Sequence, residues 1–331
     1  MEYLACPACA GQLTLLAGAS EGDEVMEGSL QCARCAARYP VRGGVPRFRT
    51  EALAGMQART AEAFGWEWKK FDDVAGHHER QFLDWMAPAT PAWFTGNVVV
   101  EAGCGKGRHT RLAAGYGARA VLGVDLSDAV DVAFPSIRHL PNAHVIQADL
   151  LRLPLRRRCA DRAFSVGVLH HLPDPREGFT ALCRSVRPGG EVSIWVYGRE
   201  GNGWIAHLVS PARRLVTSRM PPSALYWLAG ALALPLHAAL RLLYAPARRG
   251  PLAWARPALF YYPYLSYISG FPFREVHHIV HDHLAAPVAH YLSRADVESW
   301  YREAGARDVE VAWHNQNSWR GRGLMPASKG T

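Results

Sequence analysis

The chain has 331 residues, of which 49% are apolar and 20% charged, and a net charge of +8. This composition is typical of a globular protein and excludes a disordered or fibrous chain, while the length favours one large domain and a smaller one. The N-terminal segment, MEYLACPACAG, has no basic region followed by an apolar run, so a secretory signal is not expected.

Four of the seven cysteines form two C-x-x-C pairs near the N-terminus. The odd total and this spacing favour a reducing compartment and a metal site over a set of disulfides. Two such turns can present four thiolates to one tetrahedral ion, so residues 1–50 are predicted to be a zinc ribbon with a structural Zn²⁺. A redox role is disfavoured because no βαβ unit surrounds either pair. The predicted ligands are Cys6, Cys9, Cys32 and Cys35.

The same segment resembles the small zinc-ribbon proteins that act as activator subunits of tRNA and translation-factor methyltransferases. The resemblance rests on CPAC, on CARC, and on the motifs YPV at 39–41 and GGVP at 43–46. It implies a platform that packs on a neighbouring catalytic domain, here in the same chain.

Residues 51–95 are predicted to link the ribbon to the core through two amphipathic helices or turns. The aromatic runs FGWEW (64–68) and FLDWM (82–86) indicate them. Aromatic residues at this spacing favour packing. The alternative is a flap over a bound ligand, with Trp66 or Trp68 facing it.

Residues 96–198 alternate short apolar runs with helical stretches, which predicts an α/β, Rossmann-like, doubly wound and mostly parallel sheet. The first strand leads into EAGCGKG (101–107), and glycines between a strand and a helix let a ligand approach the backbone. The second strand ends at Asp125, where a carboxylate can accept both ribose hydroxyls of an adenosine. The predicted strands are 98–100, 120–124, 144–148, 163–168 and 191–197.

With Asp149 after the third strand, the run VLHHLPDP (168–175) and the turn RPGG (187–190), this pattern resembles class I S-adenosylmethionine-dependent methyltransferases. The resemblance implies S-adenosyl-L-methionine as the cofactor. The binding residues that it implies are Glu101 and Gly103 at the methionine end, Gly105 and Gly107 at the closest backbone approach, Asp125 at the ribose, Asp149 and Leu150 at the adenine, and Val168 to His170 as the lower wall.

His171 and His170 follow the fourth strand, where an acceptor would lie. Methyl transfer from a sulfonium is an in-line displacement, and a base is needed only if the acceptor arrives protonated. Either histidine is a candidate catalytic base, and the alternative is a cofactor wall or a turn stabiliser. The family's amino-group methylases of adenine and glutamine carry an Asn/Asp-Pro-Pro-aromatic run that is absent here, which argues against that class.

Residues 199–290 are predicted to form a helical cap, inserted before the last part of the core at 291–331. Within it, residues 201–274 contain eight arginines and no lysine or acidic residue, so the rest of the chain is neutral. The uncharged run 221–240 is long enough to span a membrane, but its prolines and alanines favour a cap over the active site. Interfacial membrane attachment and a true span are the alternatives.

Three further patterns lie in the cap and the C-terminal segment. The run FYYPY (260–264) with Tyr267 indicates a lining for an apolar or aromatic acceptor. His277 and His281 would share one helical face as a metal pair, but solvated or core histidines are preferred because no third ligand is evident beyond Asp282. A sixth strand is predicted at 309–313, whereas NQNSWRGRG (315–323) is a poor strand and predicts a short sheet edge.

These features predict a cytoplasmic S-adenosylmethionine-dependent methyltransferase whose specificity is set by the cap. The expected partner is a small-molecule or lipid-like acceptor, with peripheral membrane contact through residues 200–260 as an option. Nucleic acid is not expected, because the ribbon and the core are neutral together. The alternatives are methylation of tRNA or protein, which the ribbon's relatives suggest, and a non-catalytic cofactor-binding scaffold. The sequence does not determine the acceptor atom or the oligomeric state.

Overall fold

The structure is a computed structural model that describes residues 1–49, 55–71 and 77–327. Residue 50, the last of the predicted ribbon, and parts of the predicted linker, at 51–54 and 72–76, lie outside the described residues.

The N-terminal segment forms a small antiparallel β-structure. A four-stranded sheet has the order β1-β4-β5-β6, and a two-stranded hairpin of β2 and β3 extends from it. Leu13, Leu30 and Val41 are buried between this sheet and the core of the large domain, so the ribbon has no separate apolar centre. The strands are β1 (Leu13–Ala17), β2 (Ser20–Glu21), β3 (Glu24–Val25), β4 (Glu27–Cys32), β5 (Arg38–Arg42) and β6 (Val45–Pro46).

Two helices then lead into the large domain, as the aromatic runs predict. They are α1 (Met56–Lys70) and α2 (His77–Met86). Phe82 and Met86 of α2 are fully buried against the central sheet, and this packing holds the second helix in place.

The centre of the protein is a seven-stranded sheet with the order β12-β13-β11-β10-β7-β8-β9. Strands β9, β8, β7, β10 and β11 are parallel, which confirms the predicted Rossmann-like class. Every residue of β7, VVVEA, is buried, as expected for a strand with helices on both faces. The elements are β7 (Val98–Ala102), α3 (Arg108–Gly115), β8 (Ala120–Asp125), α4 (Val130–Ile137), β9 (Ala143–Gln147), β10 (Ala160–Val166), α5 (Pro175–Ser185) and β11 (Val186–Tyr197).

The predicted short sheet edge is wrong. After α11 (Arg294–Glu303) and β12 (Arg307–His314), the chain forms β13 (Ser318–Leu324), which pairs antiparallel with β11 on one side and with β12 on the other. The glycines in this segment lower its strand propensity, which is why the sequence predicts a poor strand here. A Cβ at Gly321 or Gly323 would lie 2.8 Å from the ring of Tyr301, so these glycines make room for helix α11.

The insertion forms the predicted helical cap. One helix within it, 222–249, is long and apolar enough to cross a membrane by length and composition only, and 28% of its apolar window is buried. Its Leu225, Ala229 and Ala233 face the interior of the cap, whereas Trp227 and Leu234 are exposed. The cap helices are α6 (Ser210–Leu215), α7 (Pro222–Ala239), α8 (Ala245–Arg249), α9 (Tyr262–Ile268) and α10 (Phe273–Ala285).

The ribbon is joined to the outermost parallel strand of the central sheet, β9. The Phe48 N–H donates to the Gln147 carbonyl at 2.7 Å, and Arg47 donates to the side chains of Gln147 at 3.1 Å and Asp131 at 2.7 Å. The chain after β6 therefore covers the edge of β9 with backbone hydrogen bonds. Beside it, the ring of Phe134 packs directly on the backbone at Gly44.

Gly44→Ala is expected to loosen this interface. A Cβ at Gly44 would lie 2.2 Å from the Phe134 ring, and overpacking of this kind costs about 1–3 kcal/mol. Gly43→Ala is the matched control, because both glycines have a positive φ but a Cβ at Gly43 meets nothing within 4 Å. We expect urea denaturation to show a lower free energy of unfolding for Gly44→Ala than for Gly43→Ala. Equal values would show that the Phe134 contact contributes nothing.

Candidate functional site

The four cysteines of the two C-x-x-C pairs lie together at one end of the ribbon. Their Sγ atoms are all within 4.8 Å of one another, with 3.7 Å between Cys6 and Cys35 and 3.5 Å between Cys9 and Cys32. Tetrahedral Zn²⁺ with four thiolates requires sulfur separations of about 3.8 Å, so these residues fit a structural zinc ion. Within this cluster, backbone N–H groups of Cys35 and Arg34 lower the pKa of the Cys32 thiol, whereas hydrogen bonds with the neighbouring cysteines raise the pKa of Cys9.

A cavity of about 260 Å³ lies at the carboxyl edge of the parallel strands, under the cap and α1. It follows the rule that ligands of open α/β sheets bind outside the carboxyl ends of the strands. Its floor includes the glycine turn after β7, and its far end is lined by tyrosines of the cap.

The glycine turn has the backbone conformation that its sequence requires. Gly103 and Gly105 have φ values of 80° and 51°, a region that favours glycine, and both line the cavity. A Cβ at Gly103 would lie 2.2 Å from Val168, and one at Gly105 would lie 3.0 Å from the Trp68 indole. Gly107 faces helix α4 instead, where a Cβ would lie 3.2 Å from Ala133, so it serves helix packing rather than the cavity.

Asp125 lies in the cavity wall at the end of β8, where the sequence places it. Its carboxylate accepts hydrogen bonds from the Gly105 N–H at 2.8 Å, the Ser127 N–H at 2.8 Å and the Ser127 hydroxyl at 2.7 Å. Burial raises the pKa of Asp125, and these donors act in the opposite direction by stabilising its charged form. The carboxylate is thereby held in one orientation beside the glycine turn.

Glu101 does not line the cavity. It is 1% exposed, accepts a hydrogen bond from the Thr110 hydroxyl at 2.5 Å, and lies 3.5 Å from the His109 ring. Burial raises the pKa of Glu101 to about 8. The side chain thus lies behind the glycine turn and ties β7 to α3.

Three other predicted cofactor residues do line the cavity. They are Asp149, Leu150 and Val168. Asp149 also caps the short helix after β9 by accepting from the Leu151 N–H at 2.9 Å. Val168 closes the floor below Gly103, as its predicted role as a lower wall implies.

The two adjacent histidines after β10 have different environments. His171 lines the cavity, and its Nδ1 lies 2.7 Å from the carbonyl oxygen of Val288. A carbonyl only accepts, so Nδ1 carries the proton and Nε2 has a free lone pair. His170 is fully buried behind the wall, accepts from the Tyr197 N–H at 3.3 Å and stacks on the Tyr197 ring. Of these two histidines, His171 lines the cavity and His170 does not.

The roof of the cavity joins α1 to the cap. Glu67 is fully buried and lies 3.0 Å from His278 Nε2 and 3.5 Å from His281 Nδ1, both on α10. Phe64 and Trp68, on the same helix, line the cavity. Trp68 therefore lies where the alternative of a flap over a bound ligand expects it. Trp66 instead stacks on His281.

The two cap histidines predicted to share a helical face, His277 and His281, have separate partners in the protein. Besides the four cysteines, no group of three ligating side chains in the described part of the chain is close enough to hold an ion. His277 is buried and its Nε2 lies 2.8 Å from the carbonyl of Tyr226, which agrees with the preferred prediction of a core histidine.

The far end of the cavity is lined by residues of the cap and of the last hairpin. Tyr197 donates to Asp282 at 2.8 Å, and both side chains face the cavity. Sequence reasoning found the tyrosines but missed Glu67 and the polar residues that follow β11 and β12. The lining residues of this end include Asn202, Tyr261, Tyr264, Tyr267, His314 and Asn317.

Two family models match this chain. Residues 100–194 match the methyltransferase domain, and residues 1–44 match the Trm112p-like proteins. These matches confirm both resemblances drawn from the sequence, to S-adenosylmethionine-dependent methyltransferases and to zinc-ribbon activators.

Curated relatives include proteins named tRNA U34 carboxymethyltransferase. The protein from Pseudoalteromonas translucida is 34% identical over 110 residues, which are 32% of this chain and 34% of that protein. The protein from Methylococcus capsulatus is 30% identical over 142 residues, which are 40% of this chain and 43% of that protein. The chain therefore spans well under half of the length of these two relatives.

Among solved structures, a complex of the Haloferax volcanii Trm112 methyltransferase activator with a methyltransferase is 14% identical, with a TM-score of 0.45. That match covers 80% of this chain and 98% of the other. A S-adenosylmethionine-dependent methyltransferase from Aquifex aeolicus is 14% identical, with a TM-score of 0.44, and the match covers 79% of this chain and 98% of the other.

Asp125→Asn is expected to weaken binding of S-adenosylhomocysteine at least tenfold, because two hydroxyls of a ribose require a charged acceptor in this position. Calorimetric titration measures the affinity. Asp128→Asn is the matched control, since Asp128 lies three residues further along and contacts Arg49 and Gln147 rather than the cavity. Similar affinities for both variants would remove Asp125 from the cofactor site.

Proposed function

We propose that this protein transfers a methyl group from S-adenosylmethionine to a nucleoside of tRNA. The observation that carries the proposal is the identity of 30–34% to proteins named tRNA U34 carboxymethyltransferase. The match to the methyltransferase domain family and the Trm112p-like segment at 1–44 support it.

This proposal corrects two predictions from the sequence. The small-molecule or lipid-like acceptor is wrong, and so is the exclusion of nucleic acid, because the relatives are named for a tRNA acceptor. The charge argument failed because it asked whether the core and the ribbon are basic. A tRNA can instead contact the cap segment 201–274, which carries eight arginines and no acidic residue.

The relatives that act on tRNA agree with the predicted cytoplasmic location. They give no support to the membrane contact predicted for residues 200–260.

The residues that line the cavity fit the cofactor. Gly103 and Gly105 bring the backbone to the cavity wall, with Val168 and Trp68 packed against them, and Asp125 presents an oriented carboxylate beside them. When bound, S-adenosylmethionine supplies an electrophilic methyl group on a positively charged sulfur. The aromatic rings of Phe64 and Trp68 line the roof of this region.

His171 is the residue that we assign to removing a proton from the acceptor. Its Nδ1 is held by Val288, and Nε2 is left as a proton acceptor. Burial lowers the pKa of His171 below its ordinary value of 6.5, while Asp282 acts in the opposite direction. At neutral pH the ring is therefore unprotonated and ready to act as a base.

The test of the function uses purified protein, S-adenosylmethionine with a labelled methyl group, and total tRNA. We expect label in the tRNA fraction and an affinity for tRNA that falls steeply as salt rises, since phosphate contacts release counterions. Absence of label with a protein that binds S-adenosylhomocysteine would overturn the proposed acceptor.

His171→Ala is expected to lower kcat on tRNA by about 10²- to 10⁴-fold, the usual contribution of a positioned base. In the unaltered protein, kcat should fall as the pH drops through the lowered pKa of His171, because protonation occupies Nε2. The variant should lack this acidic limb in its pH profile and keep its affinity for S-adenosylhomocysteine. His207→Ala, at an exposed position in the cap, should behave as the unaltered protein does. An unchanged pH profile in His171→Ala would assign the base to another group.

A further inference from the structure

The turn between β12 and β13 has an unusual backbone at the far end of the cavity. Asn315 and Gln316 have φ values of 47° and 54°, in the left-handed region that residues other than glycine rarely adopt. His314 and Ser318 pair across the hairpin, so the turn consists of the three residues 315–317. Backbone conformations of this kind persist only where the surrounding structure holds them.

The segment after β11 holds this turn tightly. A Cβ at Gly201 would lie 2.1 Å from the Gln316 carbonyl oxygen, so the two backbones are in direct contact. The carbonyl oxygen of Asn317 accepts from the Gly198 N–H at 2.9 Å and from Asn202 Nδ2 at 2.6 Å. The turn is therefore rigid before any ligand binds.

This rigid turn presents amide side chains to the cavity. Asn315 and Asn317 both line it, and Asn317 is 8% exposed. The side-chain oxygen of Asn317 lies 2.9 Å from the Ser318 hydroxyl, which donates to it. Its nitrogen carries two N–H donors and interacts with the Tyr261 hydroxyl. An amide in this position can donate to a carbonyl oxygen of a ligand.

The cavity wall beside the turn is formed by aromatic side chains, and one of them, Tyr261, is also held in a left-handed backbone conformation. Tyr261 has a φ of 52°, and its hydroxyl donates to Asn202 Oδ1. Tyr261, Tyr264 and Tyr267 line the same end of the cavity. A planar ring with polar edges matches this combination, because its face can contact tyrosine and its edge can accept from an amide.

We propose that the turn 315–317, with Tyr261 beside it, is the element that recognises the acceptor nucleobase, and that Asn317 donates to a carbonyl oxygen on the edge of that base. The inference deepens the proposed function and rests on it. It makes Asn317 a specificity-determining residue, and it favours a uracil, which has a carbonyl at its 4-position, over a cytosine, which has an amino group there.

The test uses the full chain with two tRNA transcripts that carry uridine or cytidine at position 34, the position in the relatives' name. The variants are Asn317→Ala, which removes the donor, and Asn317→Asp, which keeps the size and replaces the donor with an acceptor. We expect each to lower kcat/KM on the uridine transcript by about 10- to 100-fold, as loss of a buried hydrogen bond does. The preference for uridine over cytidine should shrink most in Asn317→Asp.

Three controls separate recognition from structure. Affinity for S-adenosylhomocysteine should stay within about twofold in both variants, because Asn317 belongs to the other end of the cavity from Asp125. Gln12→Asn, at an exposed position of the ribbon away from the cavity, should retain full activity and preference. Thermal unfolding of Asn317→Asp should match that of the unaltered protein.

The outcomes distinguish this inference from the proposed function. If the unaltered protein labels neither transcript, nor total tRNA, the proposed function fails and the inference fails with it. If it labels the uridine transcript and both Asn317 variants do so equally well, only the inference is overturned. The same holds if the variants lose activity and S-adenosylhomocysteine affinity in parallel, which would indicate a structural role.

Discussion

The cavity depends on one buried carboxylate. Glu67 is fully buried on α1, and its partners are two histidines on α10, more than 200 residues further along the chain. Burial alone would raise the pKa of Glu67, but the adjacent His278 and His281 lower it to about 2. A buried carboxylate without a partner would destabilise the fold by several kcal/mol. The requirement for a partner therefore fixes α1 against the cap, and with it the position of Trp68 over the glycine turn.

The ribbon and the cap are attached towards opposite edges of the central sheet. The ribbon covers the edge of β9 through Phe48 and Arg47, and its apolar residues join the core on one face of the sheet. The cap leaves the sheet after β11, next to the antiparallel strands β13 and β12. The parallel strands between them end at the cavity. A Trm112p-like segment in this arrangement stabilises the sheet and does not line the cavity, which agrees with a structural zinc ion and separates metal binding from chemistry.

Sequence reasoning succeeded where local signals determine structure. Buried parallel strands are continuous apolar runs, and the cysteine pairs and glycine turn have fixed spacings, so the class of fold, the zinc ligands and the cavity position of Asp125 could be predicted. It failed where distant packing decides. Strand β13 has poor propensity, yet Gly321 and Gly323 are the residues that let Tyr301 pack on it. Glu67 is one acidic residue among many in the sequence, and only the fold brings its histidine partners to it. The predicted acceptor class is wrong because the neutral ribbon and core were taken to argue against nucleic acid, whereas the arginines of the cap were not considered as a surface for it.

The contrast between His170 and His171 shows how the cap contributes to the chemistry of the core. The two rings are adjacent after β10 and are both buried, so sequence alone could not separate their roles. His170 uses Nδ1 to accept from the Tyr197 backbone, which leaves its proton on Nε2 in an apolar wall. His171 uses Nδ1 to donate to the Val288 carbonyl, and this opposite arrangement leaves Nε2 as an acceptor facing the cavity. Val288 lies at the end of the inserted segment. The insertion therefore does more than cover the site, because its backbone selects the tautomer of His171 that the proposed base role requires.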